Sequence, residues 1–347
     1  MKQLCLFITV LLLSLLSFAQ DSTKSDPVKV TGFIDLYYQY DFNKPPGKER
    51  PSFLYNHKRH NEFSINLALM KIAYATKKLR ASIGLMAGNY PQYNLAAEPS
   101  LLQFVYEAYI GFSFSDKLNI DAGILPSHIG LETAISKENW NLSRSILAEN
   151  TPYYETGVKL NYSPGEKWTL AILVLNGWQN IVENNSGKAV GTQVQFKPGS
   201  NWLFNSSSFI GNERPDSVKQ TRFFHNFYIT HSFAKKWDIA LLFDNGTEKN
   251  KNWLGAAFLL RYLPDKKWAF ASRLEYYKDK KGVIVSVNQP GGFKTSGFSL
   301  NIDHNPLQNI TFRAEARCLH ATNDIFTKNG LPSKNNFSIL VSVAIGF

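Results

Sequence analysis

The sequence is poor in cysteine, has no cluster of basic residues, and has no long apolar run beyond residues 1–20. Only Cys5 and Cys318 occur among 347 residues. Because Cys5 lies in a segment expected to be removed, an internal disulfide and a cysteine-based metal site are excluded. No later stretch reaches the roughly 18 apolar residues of a transmembrane helix. The net charge is +11, but Lys and Arg are scattered, so nucleic acid is not an expected partner.

The N-terminal segment has the features of a secretory signal. It carries Lys2, an apolar run over 4–16 and a small-x-small site that ends at Ala19. We predict a signal peptide at 1–19, a polar leader at 20–29 and one β-barrel domain at 30–347. An uncleaved anchor helix is the alternative, although the apolar run is short for a bilayer.

Alternation of apolar and polar residues dominates the remaining chain, which predicts an all-β protein. A charged face on a continuous strand has to meet water, so an apolar face towards lipid leaves the charged face lining a wet lumen. Three segments illustrate the pattern: 62–69, 102–114 and 309–318. Their apolar parity is Phe63, Ile65, Leu67 and Leu69 in the first, Tyr106, Ile110 and Phe112 in the second, and Ile310, Phe312 and Ala314 in the third.

Short turns alternate with long polar loops along the chain. This asymmetry predicts a transmembrane antiparallel β-barrel of about 16 strands, with short periplasmic turns and long external loops. The short turns are predicted at 76–78, 115–117, 163–167, 197–201, 234–236, 264–267 and 303–308. The long loops are predicted near 43–60, 89–100, 126–152, 178–187, 211–220, 245–251, 280–292 and 320–334.

Aromatic residues indicate the two rims of the barrel. Tryptophan opens the strand after four short turns, and its amphipathic ring suits a membrane–water interface. Ordinary hairpin packing of an aromatic residue is the alternative. The predicted girdle is Trp168, Trp202, Trp237 and Trp268 at one rim, with Tyr40, Phe42, Tyr90 and Tyr93 at the other.

The chain ends on Phe347, directly after an alternating strand. An unpaired strand edge in lipid is very costly, so we predict that this last strand pairs with the first one near 30–42. A terminal aromatic residue also resembles the signal by which barrel assembly machinery recognises its clients. That Phe347 is last by chance is the alternative.

The loop at 126–152 is a candidate constriction, because the corresponding loop of 16-strand porins folds inward. Charged groups at a constriction select permeants by their field. Two alternatives stay open, namely a solvated external loop and mutual ion pairing that only stabilises the wall. The strand at 168–175 is apolar on both faces and would meet either an inward loop or a neighbouring subunit. The pore-lining candidates are Arg80, Glu107, Asp121, Glu132, Arg144, Arg273, Arg313, Glu315 and Arg317.

Signatures of catalysis and of metal binding are poor. His57 and His60 have no carboxylate at metal-ligand spacing and are predicted to lie in a solvated loop. Ser127 and His128 are adjacent, which does not suit a nucleophile and its base, and no phosphate-binding glycine loop occurs. We therefore predict no catalytic residues, no metal and no cofactor.

The stretches 30–43, 123–126, 138–160 and 342–347 resemble the OmpL-like β-barrel porin family of Bacteroidota. The resemblance implies an outer-membrane protein of a Gram-negative bacterium that lets small hydrophilic solutes diffuse passively, in contact with outer-membrane lipid and barrel assembly machinery. The net charge suggests a mild anion preference, and 16-strand porins are usually homotrimers. The alternatives are a plugged barrel that binds a ligand or partner, and a membrane-embedded hydrolase.

Overall fold

Sixteen strands of alternating polarity form a closed antiparallel barrel, in which each strand pairs with its sequence neighbours and the last pairs with the first. The structure is a computed structural model and describes residues 27–347. The predicted signal peptide at 1–19 therefore lies outside the described residues. The first strand begins at Val28, two residues before the predicted start of the barrel. In the part of the chain that is described, no helix is long and apolar enough to cross a membrane.

The first half of the barrel consists of β1 (Val28–Asp41), β2 (Phe63–Ala75), β3 (Leu79–Ala87), β4 (Val105–Ser113), β5 (Leu118–Pro126), β6 (Tyr154–Gly165), β7 (Trp168–Leu175) and β8 (Ala189–Phe196). The second half consists of β9 (Trp202–Asn212), β10 (Thr221–Phe233), β11 (Trp237–Glu248), β12 (Lys251–Tyr262), β13 (Trp268–Asp279), β14 (Phe293–Leu307), β15 (Ile310–Ala321) and β18 (Asn335–Gly346). The long loops contain the hairpin β16 (Phe326–Lys328) and β17 (Leu331–Ser333), the helices Asn89–Asn94 and Ile146–Glu149, and the 3-10 turns Pro46–Lys48, Leu102–Phe104 and Ser136–Glu138.

The barrel closes between β1 and β18, which confirms the predicted pairing. Ile34 stands opposite Ile345, and this register carries the apolar faces of both strands to the outside. At the end of the seam, the Phe347 N–H donates to the carbonyl of Gly32 at 2.9 Å, and the Gly32 N–H donates to the carbonyl of Phe347 at 2.6 Å. Because every barrel strand has two neighbours, no strand edge faces lipid.

The connection between β11 and β12 differs from the prediction. A long loop near 245–251 is expected from the sequence, but the strands continue to Glu248 and restart at Lys251. The two-residue turn between them, Lys249 and Asn250, has φ values of 44° and 61°. Positive φ at both central residues is the geometry of the tight hairpin turn that matches strand twist.

A β-bulge in β2 reverses the side-chain pattern that the sequence predicts. Asp35 pairs with Leu67, but the next residue of β1, Leu36, pairs with Ile65, so Asn66 is an extra residue. Ile65 faces outward, whereas Leu67 is fully buried inside the barrel. The prediction that Leu67 shares the outward parity of Ile65 is therefore wrong, because one inserted residue exchanges the two faces.

A second bulge lies at the start of β4. Gly84 pairs with Glu107 and Leu85 pairs with Val105, so Tyr106 is the extra residue. Tyr106 packs against a cluster of apolar side chains inside the barrel, instead of sharing the outward face of Ile110. The strand also starts later than predicted, since Leu102–Phe104 form a 3-10 turn.

The helix Asn89–Asn94 contributes to the apolar filling of the lumen. Tyr90 and Leu95 are buried against Leu67 and Met86 of the wall. The prediction of Tyr90 and Tyr93 as outer-girdle residues is wrong, because this segment turns inward as a helix instead of remaining at a strand end.

Candidate functional site in the barrel lumen

The longest connection of the barrel lies inside it. It comprises residues 127–153, between β5 and β6, and we call it the inner loop. Every residue from 141 to 151 is buried. The loop contacts β13, β14 and β15, which stand on the opposite side of the barrel from β5 and β6 in the strand order. The inner loop therefore crosses the lumen.

Arg273 on β13 is the central contact of the loop with the far wall. Its side chain is fully buried. The guanidinium donates to the carbonyl of Ser143 at 2.6 Å and to Glu315 at 3.2 Å. It also lies 3.5 Å from a carboxylate oxygen of Glu132 in the loop and of Glu275 on its own strand. One cation thus neutralises carboxylates from both the loop and the wall.

Two wall carboxylates accept hydrogen bonds from the loop backbone. Glu275 accepts from the N–H of Ile146 at 2.7 Å, and Glu315 accepts from the N–H and the hydroxyl of Ser143 at 2.5 and 2.6 Å. Arg317 donates to Glu275 at 2.7 Å and completes the charge balance. These charged groups are buried and paired. Removing one partner from such a pair destabilises a folded protein by several kcal/mol.

Arg313 on β15 holds an earlier part of the inner loop. It forms a bidentate pair with Asp303, at 2.7 and 3.0 Å. The same guanidinium donates to the carbonyls of Asn139 at 2.9 Å and Trp140 at 3.2 Å, and to that of Ser136. Arginine suits this position because its five N–H donors can serve several acceptors at once.

Within the loop, Arg144 and Glu132 hold the chain in its folded path. Arg144 donates to the carbonyl of Thr133 at 2.6 Å and to that of Ala134. Glu132 accepts from the N–H and the hydroxyl of Ser145. Burial raises the pKa of Glu132 above its usual value, although the charge of Arg273 opposes this shift. Neither side chain faces water, so both act on the shape of the loop.

His128 anchors the near end of the inner loop. Its Nδ1 lies 2.8 Å from Glu155 on β6, and its Nε2 lies 2.9 Å from the carbonyl of Ser208 on β9. A carboxylate and a carbonyl both accept, so a proton on each ring nitrogen satisfies both hydrogen bonds. Burial alone would lower the pKa of His128, but the charge and hydrogen bond of Glu155 and the bond to Ser208 outweigh it, and the pKa is raised.

Two glycines on the wall make room for the inner loop. A Cβ added at Gly191 would lie 2.7 Å from the His128 ring, and one added at Gly255 would lie 2.7 Å from the side chain of Leu147. Real carbon atoms do not approach so closely. The missing side chains therefore leave room on the wall for His128 and for Leu147 of the loop.

The apolar underside of the inner loop explains the strand at 168–175. Leu173 and Leu175 on the inner face of β7 belong to the same buried cluster as Ile129 and Leu147 of the loop. Of the two partners considered for this strand, the inward loop is the one that covers its inner face.

The wall of β2 to β6 keeps charged groups in contact with water. Lys71 lies 2.8 Å from Glu107, and its side chain is 30% exposed against 2% for the glutamate. Arg80 lies 2.6 Å from Asp121, with 26% and 13% exposed. Lys159, half-buried on β6, has no carboxylate within 4 Å among residues 27–347. In each pair the cation is the more exposed partner.

A similar pair faces the lumen on β11 and β12. Arg261 donates to Asp238 at 2.7 Å, and its side chain is again the more exposed of the two. Its guanidinium also lies 4.7 Å from the centre of the Trp140 ring at the edge of the inner loop. This contact joins the loop to the more accessible part of the wall.

The predicted site residues thus fall into two groups. Glu132, Arg144, Arg273, Arg313, Glu315 and Arg317 are buried where the inner loop meets the wall, whereas Arg80, Glu107 and Asp121 lie on the wall of β3 to β5. Sequence reasoning missed the pairing of His128 with Glu155, and also Lys71 and Lys159. The inward parity of β6 is a signal that could have identified Glu155 and Lys159.

The paired histidines of the first long loop are not solvated, contrary to the prediction. His57 is fully buried and lies 3.0 Å from Asp35 of β1, and His60 accepts from the N–H of Asp41. The loop folds back against the wall, so these polar groups pair there instead of with water. Within residues 27–347, no group of three His, Cys, Asp or Glu side chains could hold a metal.

The predicted girdle tryptophans all open strands that follow short turns. Each packs against an aromatic ring of the adjacent strand, for example Trp168 on Phe196 with ring centres 4.2 Å apart. Trp202 stacks on His231 in the same way, whereas the rings of Trp237 and Tyr262 and those of Trp268 and His304 are tilted by 32° and 34°.

Comparison with protein families gives one match that spans nearly the whole described chain. The family is described as "Putative beta-barrel porin-2, OmpL-like", and it matches residues 27–347. No protein of curated function matches the sequence.

Solved structures share the fold at very low sequence identity. The outer-membrane channel DcaP of Acinetobacter baumannii is 8% identical, with a TM-score of 0.63 over 94% of this chain and 100% of its own. OmpT of Vibrio cholerae is 9% identical, with a TM-score of 0.59 over 94% and 100%. An anion-selective porin from Comamonas acidovorans is 9% identical, with a TM-score of 0.57 over 92% and 99%. At this identity the likeness establishes the fold alone.

Proposed function

The chain belongs to this OmpL-like family of beta-barrel porins, and we propose that its inner loop forms the constriction through which small hydrophilic solutes diffuse passively. The protein is accordingly an outer-membrane porin. The observation that carries the proposal is the path of residues 127–153 across the lumen, anchored at His128 on one side and at Arg273 on the other.

The water-filled path is proposed to run along the half of the β2 to β6 wall nearer the short turns, where Lys71 and Arg80 lie, and not along the half covered by the apolar cluster of Met86. The inner loop covers the opposite wall, from β13 to β15. The charged side chains of that wall are buried and hydrogen-bonded to the loop. By contrast, Lys71, Arg80 and Lys159 keep part of their side chains exposed on the inner face. Solutes in transit would therefore meet these cations rather than Arg273, Arg313 or Arg317.

A mild anion preference follows from this arrangement. In the pairs Lys71–Glu107 and Arg80–Asp121 the carboxylate is more buried than its cation, so the accessible surface is more positive than the charge count suggests. Lys159, which has no carboxylate within 4 Å in the described residues, adds a further positive charge. Low-dielectric walls focus such a field and raise the local concentration of ions of opposite sign. The anion-selective porin from Comamonas acidovorans shares the fold, but the preference proposed here depends on these side chains.

Reversal potentials in planar bilayers under a KCl gradient test the preference. We expect the unmodified protein to favour Cl⁻, and Lys159→Glu to move the reversal potential towards that of a cation-preferring pore. Lys251→Glu, at an external turn, makes the same charge change outside the lumen and should leave the potential nearly unchanged. Equal shifts in the two variants, or no preference in the unmodified protein, would reject the proposal.

A plugged barrel that binds a ligand or partner is the second candidate. The two apolar clusters favour it, because they place packed side chains of the loops against the inner face of the barrel wall. Single-channel recordings separate the two functions, since a pore gives stable conductance steps and a plug gives none.

We also propose that the protein has no enzymatic activity and that it assembles as a homotrimer. A lipid or peptide hydrolysis assay on the folded protein tests the first statement. For the second, a trimer form is known for the similar OmpT of Vibrio cholerae, and chemical cross-linking in detergent is the direct test. Recovery of monomer alone would contradict it.

The outer rims are proposed to contact lipid and the assembly machinery. Trp168, Trp202, Trp237 and Trp268 would lie at the periplasmic interface, where indole rings and nearby lysines suit the headgroup region. Phe347, whose side chain is 71% exposed, remains available for recognition during assembly.

A further inference from the structure

A groove lies on the outside of the barrel, away from the lumen, near the external ends of β13, β14, β15 and β18. We call it the outer groove. It has a volume of about 650 Å³, and the hairpin β16–β17 reaches over it with Lys328. The outward-facing residues that define it are Phe42, Leu274, Ser296, Phe298, Cys318 and Phe337.

The hollow results from small side chains between large ones. Leu274, Phe298, Cys318 and Phe337 stand in one row across the four strands. Cys318 is small and exposed, so it leaves a gap between the two phenylalanine rings. Ser296 widens the gap one row further out. The floor is apolar and lies on the face of the barrel that meets lipid.

Two lysines lie on the same outward face, two residues along their strands from the row of Ser296 and just outside the lining of the groove. Lys278 on β13 and Lys294 on β14 are directly opposite each other and share the outward parity of Ser296. Like charges placed directly across two strands destabilise the pair. Neither lysine has a carboxylate within 4 Å in the described part of the chain. The nearest acid in sequence, Asp279, points inward and accepts from the backbone N–H groups of 283–285.

We propose that the outer groove binds a lipid with a net-negative phosphate headgroup. The headgroup would bridge Lys278 and Lys294 and relieve their repulsion, while an acyl chain fills the gap at Cys318. Charge complementarity favours this occupant over a second copy of the chain, because β13 and β14 present cations here and no acid that could pair with them. Clustered lysines at a membrane surface attract anionic lipids in this way. The inference does not depend on conduction through the lumen.

Cys318 supplies a direct readout of occupancy. The folded protein in a neutral detergent is treated with a small maleimide, and the modification of the peptide that contains Cys318 is followed by mass spectrometry. We expect dioleoylphosphatidylglycerol to slow the modification and the same concentration of dioleoylphosphatidylcholine to have much less effect. Equal protection by both lipids would overturn the role of the headgroup charge.

Charge-neutral variants locate the headgroup. Each lysine near a membrane surface contributes about fivefold to the affinity for an anionic lipid, so Lys278→Gln with Lys294→Gln should raise the lipid concentration for half-protection by roughly tenfold or more. The matched control is Lys249→Gln with Lys251→Gln, which removes the same charge from the neighbouring external hairpin and should keep the protection of the unmodified protein. Equal protection in the two double variants would overturn the proposal.

Two further conditions of the experiment distinguish the lipid from other occupants of the outer groove. Inorganic phosphate alone should leave the rate at Cys318 unchanged, because it has no acyl chain, and protection by phosphate would contradict a lipid site. Protection that rises with protein concentration and needs no lipid would assign the groove to a second copy and overturn the proposal as well. Circular dichroism of each variant verifies that the barrel is folded before the rates are compared.

Discussion

The guanidinium of Arg273 on β13 donates a hydrogen bond to the backbone carbonyl of Ser143, 2.6 Å away in the middle of the inner loop. The same side chain lies within 3.5 Å of carboxylate oxygens from both the loop and the wall. The position of the loop is therefore tied to the charge balance of one buried cation. Several consequences can be measured.

Replacing Arg273 by Met should release the inner loop from the far wall. The change leaves Glu132, Glu275 and Glu315 with too little positive charge, and loss of one partner from a buried ionic cluster costs about 3–5 kcal/mol. We expect a lower thermal unfolding temperature in detergent and larger, noisier single-channel conductance. Arg273→Lys keeps the charge and should have a smaller effect. Unchanged conductance in Arg273→Met would contradict an anchoring role.

The anchor at His128 should weaken as the pH rises. The pKa of His128 is raised by Glu155 and Ser208 despite burial, so the stabilisation is complete below the usual pKa of about 6.5 and is lost as pH rises through the higher folded-state value. Lys159 opposes this shift. We expect the unfolding temperature to decrease as the pH is raised from about 6 into the alkaline range.

His128→Gln provides the control for this pH dependence. Glutamine can still donate one hydrogen bond but does not titrate, so its unfolding temperature should be lower at pH 6 and flatter with pH. A profile parallel to that of the unmodified protein would mean that another group causes the dependence.

The bulge in β2 predicts opposite sensitivities for two nearby residues. Leu67 is fully buried inside the barrel, so Leu67→Ala creates a cavity and should destabilise by about 2–5 kcal/mol. Ile65 faces outward, and Ile65→Ala should cost less because detergent or lipid fills the space. The free energy of unfolding of both variants, measured in urea, tests the register of β2. A larger loss for Ile65→Ala would contradict the bulge at Asn66.

The last residue should have separable roles in closure and in assembly. Deleting Phe347 removes both backbone hydrogen bonds to Gly32, so the yield of folded barrel in detergent should fall. Phe347→Ala keeps these bonds and should refold in detergent as the unmodified protein does, while its amount in the outer membrane of cells drops. Equal yields of Phe347→Ala and the unmodified protein in cells would remove the side chain from recognition.

Closure of the barrel and the number of its strands could be predicted from the sequence because the period of a strand is fixed at two residues. In β1 and β18 the outward-facing residues are the alternate apolar residues of the sequence, such as Ile34 and Ile339. The error at 245–251 has a physical origin as well. Asn245 and Gly246 are typical of loops, yet here they continue a strand, and Asp244 two residues from Gly246 accepts from Asn226 of the neighbouring strand.

Bulges cannot be read from such a pattern. Leu67 is apolar whether it faces lipid or the packed interior, so the inserted Asn66 leaves no mark on the alternation. The contacts of the inner loop could not be predicted from the sequence either. Arg273 and Ser143 are far apart in the chain and meet only when the barrel is closed. The sequence predicts the charged faces of β13 and β15. It does not predict that the inner loop covers them.

The inner loop also has a mechanical consequence. Since it is fixed to β6 and β9 at His128 and to β13 and β15 through its middle part, it acts as a cross-brace over the diameter of the cylinder. Lateral pressure from the bilayer would flatten an empty ring of this size most easily, and the brace resists flattening along its own direction. Cutting it should make the cross-section more elliptical without opening a single pair of strands.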